Sequence, residues 1–197
     1  MFEGFRILFW GIFFITFHIN LGPIPILPVF VGYIVASKGI GHLQQEFDSP
    51  YFQKACNISL LLTILGVISF ILTWAPGQSI FLSYYPLLFS ILELFLVYDI
   101  LEGTIEKFLS DGEEVLASDY RSEQRTYTIF MTIFVIGMCI GITFSVATLS
   151  FAMVLVGLFL RLWLMAMLGR LKRTRQETVE DLQNANFVSD NNREDNK

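Results

Sequence analysis

Two ionisable residues stand inside strongly apolar sequence: Glu93 within Leu-Leu-Phe-Ser-Ile-Leu-Glu-Leu-Phe-Leu-Val, and Arg161 within Val-Gly-Leu-Phe-Leu-Arg-Leu-Trp-Leu-Met. An isolated charge near the centre of a membrane helix costs about 2.5–3.5 kcal/mol. With helices ending on the charged side at Leu101 and Gly169, each residue lies eight positions from its helix end, or about 12 Å in. Equal depth and opposite sign make a mutual ion pair the simplest relief, and predict that helices four and six are locked together. The alternative is an Arg161 that snorkels to the interface by itself.

Other polar groups offer weaker chemistry. Asp99, Glu102 and Glu106 fall at i, i+3 and i+7, on one face of a helix, where carboxylates can gather a cation or a proton. A solvated acidic surface is the plainer reading, since no calcium-loop spacing accompanies them. His18 and Asn20 sit beside a proline-rich stretch, where a histidine titrates or binds a ligand, or simply satisfies local backbone. The second histidine, His42, belongs to the opposite side. The metalloprotease, nucleophile-elbow and phosphate-loop motifs do not occur, so no catalytic residues, metal site or cofactor are expected, and the chain reads as a non-enzyme.

These residues need an apolar framework to hold them. The 197-residue chain is 54% hydrophobic and only 16% charged, and its charges cluster between long uncharged runs. A soluble surface needs more charge than that, and the pattern is that of a membrane protein with the lipid bilayer as its first partner. The net charge of −5 gives no reason to expect nucleic acid. The two cysteines, Cys56 and Cys139, fall toward opposite faces and read as free thiols in apolar surroundings. No small-residue cleavage site follows the apolar N-terminus, so a removed signal peptide is not expected.

Three runs lack Asp, Glu, Lys and Arg: Ile7–Ser37, Ala55–Leu92 and Thr126–Leu160. Each is long enough for two crossings of a bilayer that takes about 20 residues per helix. Turn signals lie near their middles: Gly22-Pro23-Ile24-Pro25-Ile26-Leu27-Pro28, Trp74-Ala75-Pro76-Gly77-Gln78-Ser79, and the polar scatter around Gly141 to Ser150. The expected architecture is all-α and polytopic, about six transmembrane helices as three helical hairpins. Helices are placed near 5–21, 26–41, 55–74, 80–101, 126–144 and 148–169, within a transmembrane domain of residues 1–169. Residues 22–37 also admit a re-entrant reading, which would leave five crossings.

Lys38, Lys54, Lys107, Arg121, Arg125 and the cluster Arg170, Lys172, Arg173, Arg175 then share one side, while the turns opposite carry no Lys or Arg. The positive-inside rule makes the charged side cytoplasmic, with both termini there. An acidic cytoplasmic loop is expected at 102–125, because half of the 18 acidic residues fall between Glu93 and Glu123. Helix four runs on toward Leu109, with Ser110-Asp111-Gly112 as its stop. The tail, 170–197, opens basic and continues Asn- and Asp-rich, a composition expected to be disordered. Its basic cluster suits anionic lipid headgroups, at about 1 kcal/mol per cation, besides fixing topology. Asn57-Ile-Ser59 matches a glycosylation triplet but falls at a cytoplasmic helix start.

The stretch Ile24-Pro-Ile-Leu-Pro-Val-Phe-Val-Gly-Tyr-Ile-Val35 with Gly39-Ile-Gly41 resembles a signature of a loose, uncharacterised group of small multi-helix membrane proteins of Gram-positive bacteria. Leu27, Pro28, Gly32 and Tyr33 match it. Pro25 and Val29 stand where that pattern carries acidic residues. The resemblance spans the first forty or so residues and implies a bacterial cell-membrane location without an activity. Pro28 suits the first turn of a helix. Gly32, Ala36 and Gly39 form a small-residue face that lets another helix come close.

Two functions follow as expectations. One is an interaction or regulatory subunit that presents cytoplasmic surfaces to a membrane or cytoplasmic protein partner. The other is a small transporter or channel that uses Glu93 and Arg161.

Overall fold

A computed structural model describes residues 3–17, 20–21, 24–25, 28–73, 80–144, 148–149 and 151–171. The described residues form six helices: α1 (Glu3–Thr16), α2 (Val29–Phe47), α3 (Pro50–Thr73), α4 (Ile80–Ser110), α5 (Glu114–Thr143) and α6 (Phe151–Leu171). Between α1 and α2 a two-residue antiparallel pairing, β1 (Asn20–Leu21) with β2 (Ile24–Pro25), sets Asn20 opposite Pro25. The all-helical class expected from the sequence is the one found.

Three of the helices are long and apolar enough to cross a membrane, spanning Pro50–Leu72, Glu114–Thr143 and Phe151–Leu171. That is fewer than the six expected. The shortfall has plain causes at two helices. The fourteen residues of α1 reach about 21 Å, against a hydrocarbon core of about 30 Å. The C-terminal half of α2 carries Lys38, His42, two glutamines and Glu46. Only 22–28% of each apolar span is buried within the protein, so isoleucines, leucines and phenylalanines such as Ile64, Ile133, Phe151 and Phe159 face outward. A surface of that kind needs lipid rather than water around it.

Helix limits differ from the expected ones because charge marks where solvent begins, not where helical hydrogen bonding stops. The first helix ends at Thr16 instead of 21, and the second begins at Val29 and continues to Phe47 instead of 41. The third starts at Pro50, five residues before the uncharged run. The region 102–125, expected as an acidic loop, is itself helical apart from a tight turn: α4 continues to Ser110 and α5 starts at Glu114. Gly112 makes that turn at φ +80°, a conformation that costs glycine little. Its N–H donates to the Leu109 carbonyl (3.2 Å) and that of Glu113 to Phe108 (2.9 Å), a Schellman closure of α4. Between α2 and α3, Asp48 takes the left-handed conformation and Pro50 opens the next helix, where its missing N–H costs nothing.

α1 and α2 form an antiparallel hairpin zipped by small residues. A Cβ on Gly11 would lie 2.5 Å from the Ala36 nitrogen, and one on Gly39 would lie 2.6 Å from the Leu8 nitrogen. Farther along, Gly4 meets Leu43 and Gly32 meets Ile15. The small face of Gly32, Ala36 and Gly39 therefore receives α1, backbone to backbone. α5 and α6 pair antiparallel through Phe134–Gly157, Gly137–Met153 and the Trp163 ring set edge-on to Tyr127 and Phe130. Phe52 of α3 fills the space over Gly103 of α4. The α1 start, the α2–α3 turn, the α4–α5 turn and the α6 end consequently gather at one end of the bundle, as Phe5–Phe47, Phe47–Phe52 and the Ser49–Glu106 hydrogen bond record.

The zipper can be tested with methyl groups. Gly11→Ala and Gly39→Ala each push against backbone and should cost about 1–3 kcal/mol, seen as a lower unfolding temperature in detergent. Gly41→Ala, where nothing lies within 4 Å, should leave the melting curve where it is.

Candidate functional site

Arg161 stands midway along α6, ten residues from either end, or about 15 Å from each. Its Nη2 donates to both oxygens of Glu93 on α4, at 2.7 and 2.9 Å. Its Nη1 donates to the backbone carbonyl of Ile15 at 3.3 Å. Tyr33 of α2 donates its hydroxyl to Glu93 Oε1. Ser59 of α3, fully buried, donates in turn to the Tyr33 carbonyl at 3.2 Å. One polar cluster thus ties together residues from five helices.

Each partner supplies what the others lack. Glu93, with 12% of its side chain exposed, is relieved by a guanidinium that sets one nitrogen against both its oxygens and leaves the other for the Ile15 carbonyl. The Tyr33 ring, wholly buried, packs on Phe89 with centroids 5.7 Å apart and so aims its hydroxyl at α4. Ile15 lies in the last turn of α1, whose carbonyls point toward the C-terminal end of the helix. The Arg161 cation sits on that negative end of the helix dipole and bonds one of its carbonyls. Tyr127 of α5, also buried, stands within electrostatic range of both charges. Arg161 itself remains 31% exposed along its side chain.

The other predicted residues have separate partners. Glu106 accepts from Ser49 Oγ at 2.5 Å, toward the α2–α3 turn. Glu102 instead faces α5, accepting from Gln124 Nε2 at 3.0 Å with Arg121 3.7 Å away. Asp99 lies within range of the Lys54 charge on α3. The three carboxylates share a helix face yet serve three different contacts. Arg170 forms an ion pair with Glu123 of α5 at 2.8 Å. His18, Lys172, Arg173 and Arg175 lie outside the described residues, and of Asn20 only the backbone pairing is described. Cys139 is exposed on α5 rather than buried, and Cys56 is half-buried with its sulfur 4.0 Å from Ser37 Oγ.

The sequence reading of this site omitted Tyr33 and Gln124 as hydrogen-bonding partners. Tyr33 had a signal, being a hydroxyl in the apolar half of α2 beside its small residues. Gln124 had none beyond its place next to a charged segment. No family model, curated protein or solved structure matches the chain.

Breaking one half of the cluster should be costly. Glu93→Gln or Arg161→Gln leaves a buried charge without its counterion, a loss of about 3–5 kcal/mol that should sharply reduce the folded protein recovered from membranes. Arg161→Lys should fall well short of wild type, since an ammonium cannot reach two carboxylate oxygens and the Ile15 carbonyl together. Tyr33→Phe should cost about 1–3 kcal/mol. The swap Glu93→Arg with Arg161→Glu should recover part of what either reversal loses. Absence of any recovery in a fluorescence-detected size-exclusion assay would count against the pairing.

Proposed function

We propose that this chain is a multi-pass protein of the bacterial cell membrane, non-enzymatic, acting as an interaction or regulatory subunit. Its six helices cross as three hairpins, with the N- and C-termini in the cytoplasm. The single observation that carries the reading is where the polar groups go. The carboxylate inside the bundle is engaged by partners from the same chain, Arg161 and Tyr33. The hydrophilic side chains still facing outward, among them Glu114, Asp119, Arg121 and Arg125, gather at one end. A partner, membrane-bound or cytoplasmic, would find its polar contacts on that end.

The orientation rests on Lys and Arg. Arg6, Lys54, Lys107, Arg121, Arg125 and Arg170 lie at the end that gathers the α1 start, the α2–α3 and α4–α5 turns and the α6 end. The segments linking the helices at the other end carry neither residue type. Cations are retained on the cytoplasmic side. The short α1 is compatible with a crossing because its far end meets Arg161 instead of lipid. The bacterial location follows the resemblance of the Leu27-Pro28 to Gly32-Tyr33 segment.

A second reading, a small transporter or channel, draws on the exposed third of Arg161. In it Glu93 and Arg161 would line a path and separate transiently as a solute passes.

Affinity capture of the full chain from native membranes in mild detergent distinguishes them. A stoichiometric protein partner that is lost on reversing Asp119 and Arg121 supports the subunit. Capture of the chain alone, with solute flux in vesicles abolished by Glu93→Asp, supports the transporter. A reporter at Gln78 should be extracellular and one at Lys197 cytoplasmic; a cytoplasmic Gln78 would overturn the topology.

A further inference from the structure

α5 is longer than its neighbour at the charged end. The line of α5 residues that α6 covers runs Phe134, Tyr127 and Phe130, then Glu123, which binds Arg170 as α6 reaches Leu171. Helical spacing continues that same line through Asp119 and Leu116, with Val115 at its edge. Asp119 is exposed, and Val115 is 76% exposed, among the most accessible of the large apolar side chains. This is no lipid-facing position. It lies in the first turn of α5, next to the Gly112 turn and flanked by Glu113 and Glu114. An exposed acidic residue followed by an exposed apolar one thus continues the strip that α6 covers.

The chain holds a segment of matching character in the matching place. Directly after Leu171 come Lys172, Arg173 and Arg175, then a single acidic residue, Glu177, and the first apolar residue, Val179. The Arg170–Glu123 ion pair fixes the end of α6 beside the strip, and the segment begins two residues later. Asp119 stands one helical turn beyond Glu123, and Arg173 follows Arg170 by three residues in sequence. Val115 is one turn further still, within easy reach of residues 177–179 at about 3.3 Å per residue even in extended chain.

We propose that the segment 172–179 docks on the first turns of α5, with Arg173 paired to Asp119 and Val179 laid over Val115. The basic cluster then belongs to the protein's own acidic helix and not to lipid headgroups. The docked segment would cover the most exposed apolar residue of the charged end, so an outside partner binding there must displace it. The docking stands independently of the subunit reading, since it needs no partner.

Accessibility of Val115 provides the test. In the full chain with Cys56 and Cys139 replaced by alanine, Val115→Cys is labelled by a charged, water-soluble maleimide in nanodiscs of purely zwitterionic lipid. Labelling should be slow, and should quicken about tenfold when Asp119→Arg or Arg173→Asp is added. Combining the two reversals should restore the slow rate. A cysteine at Ser110, outside the strip, should react at one rate throughout and so reports on folding. Equal rates at Val115 in all variants overturn the docking. Protection that appears only with anionic lipid, indifferent to Asp119, also overturns it and assigns the cluster to headgroups.

Discussion

Hydrocarbon offers no hydrogen bonds and little dielectric screening, and the guanidinium of Arg161 answers both problems at once. It neutralises Glu93 and it receives the end of a helix. The fourteen residues of α1 end beside the midpoint of α6, where the guanidinium donates to the Ile15 carbonyl. The carboxylate on α4 offsets the charge that this contact brings into the bundle. Tyr33 and Ser59 extend the same logic to α2 and α3, each donating a proton into the chain of acceptors.

Around this cluster the bundle is held by close approach more than by burial of large side chains. In a lipid environment isoleucine gains little by moving inward, because tails outside are equally apolar. The structure agrees, with most of each apolar span turned outward. What draws the helices together is contact between backbones where side chains are absent, as at Gly11 and Gly39, and aromatic rings fitted over glycines, as Phe52 over Gly103 and Phe134 over Gly157. At the charged end polar bridges take over: Gln124 reaches both Glu102 and the Tyr98 carbonyl, and Phe108 stacks on Tyr120 at 5.5 Å. Chemistry changes with depth along the same pair of helices.

The sequence disclosed the helical class and the small face of α2, because composition and three- and four-residue spacing are local properties. It also disclosed that Glu93 and Arg161 need each other, since charge in apolar sequence is conspicuous and depth can be counted. Geometry between helices was not legible. Nothing in the spacing of Asp99, Glu102 and Glu106 tells that Glu102 turns to α5 while Glu106 turns to the α2–α3 corner. Helix ends were misplaced wherever the helix continues past the charge boundary, as at Phe47 and Glu114, because water and helix are compatible. The early end of α1 was hidden for the opposite reason. An uncharged run looks equally membrane-like whether or not it is helical, and the run through Phe17 and Leu21 changes conformation without changing hydropathy.

The helical α4–α5 corner bears on what the charged end can do. A flexible acidic loop would pay ordering entropy for every contact it made. Here α4 passes the level of Phe52 at Gly103 and continues seven residues before its closure, so the hairpin stands about 10 Å beyond Phe52. Its two helices are joined by a fixed turn and braced by the Phe108–Tyr120 stack. Exposed Asp119, Arg121 and Val115 are therefore held at set distances from one another before anything binds them. A preorganised surface of mixed charge with one apolar contact loses less conformational freedom on binding than a flexible loop would. The rigidity of that corner derives from packing in the layer beneath it, and so ultimately from the helices that Arg161 and Glu93 keep in place.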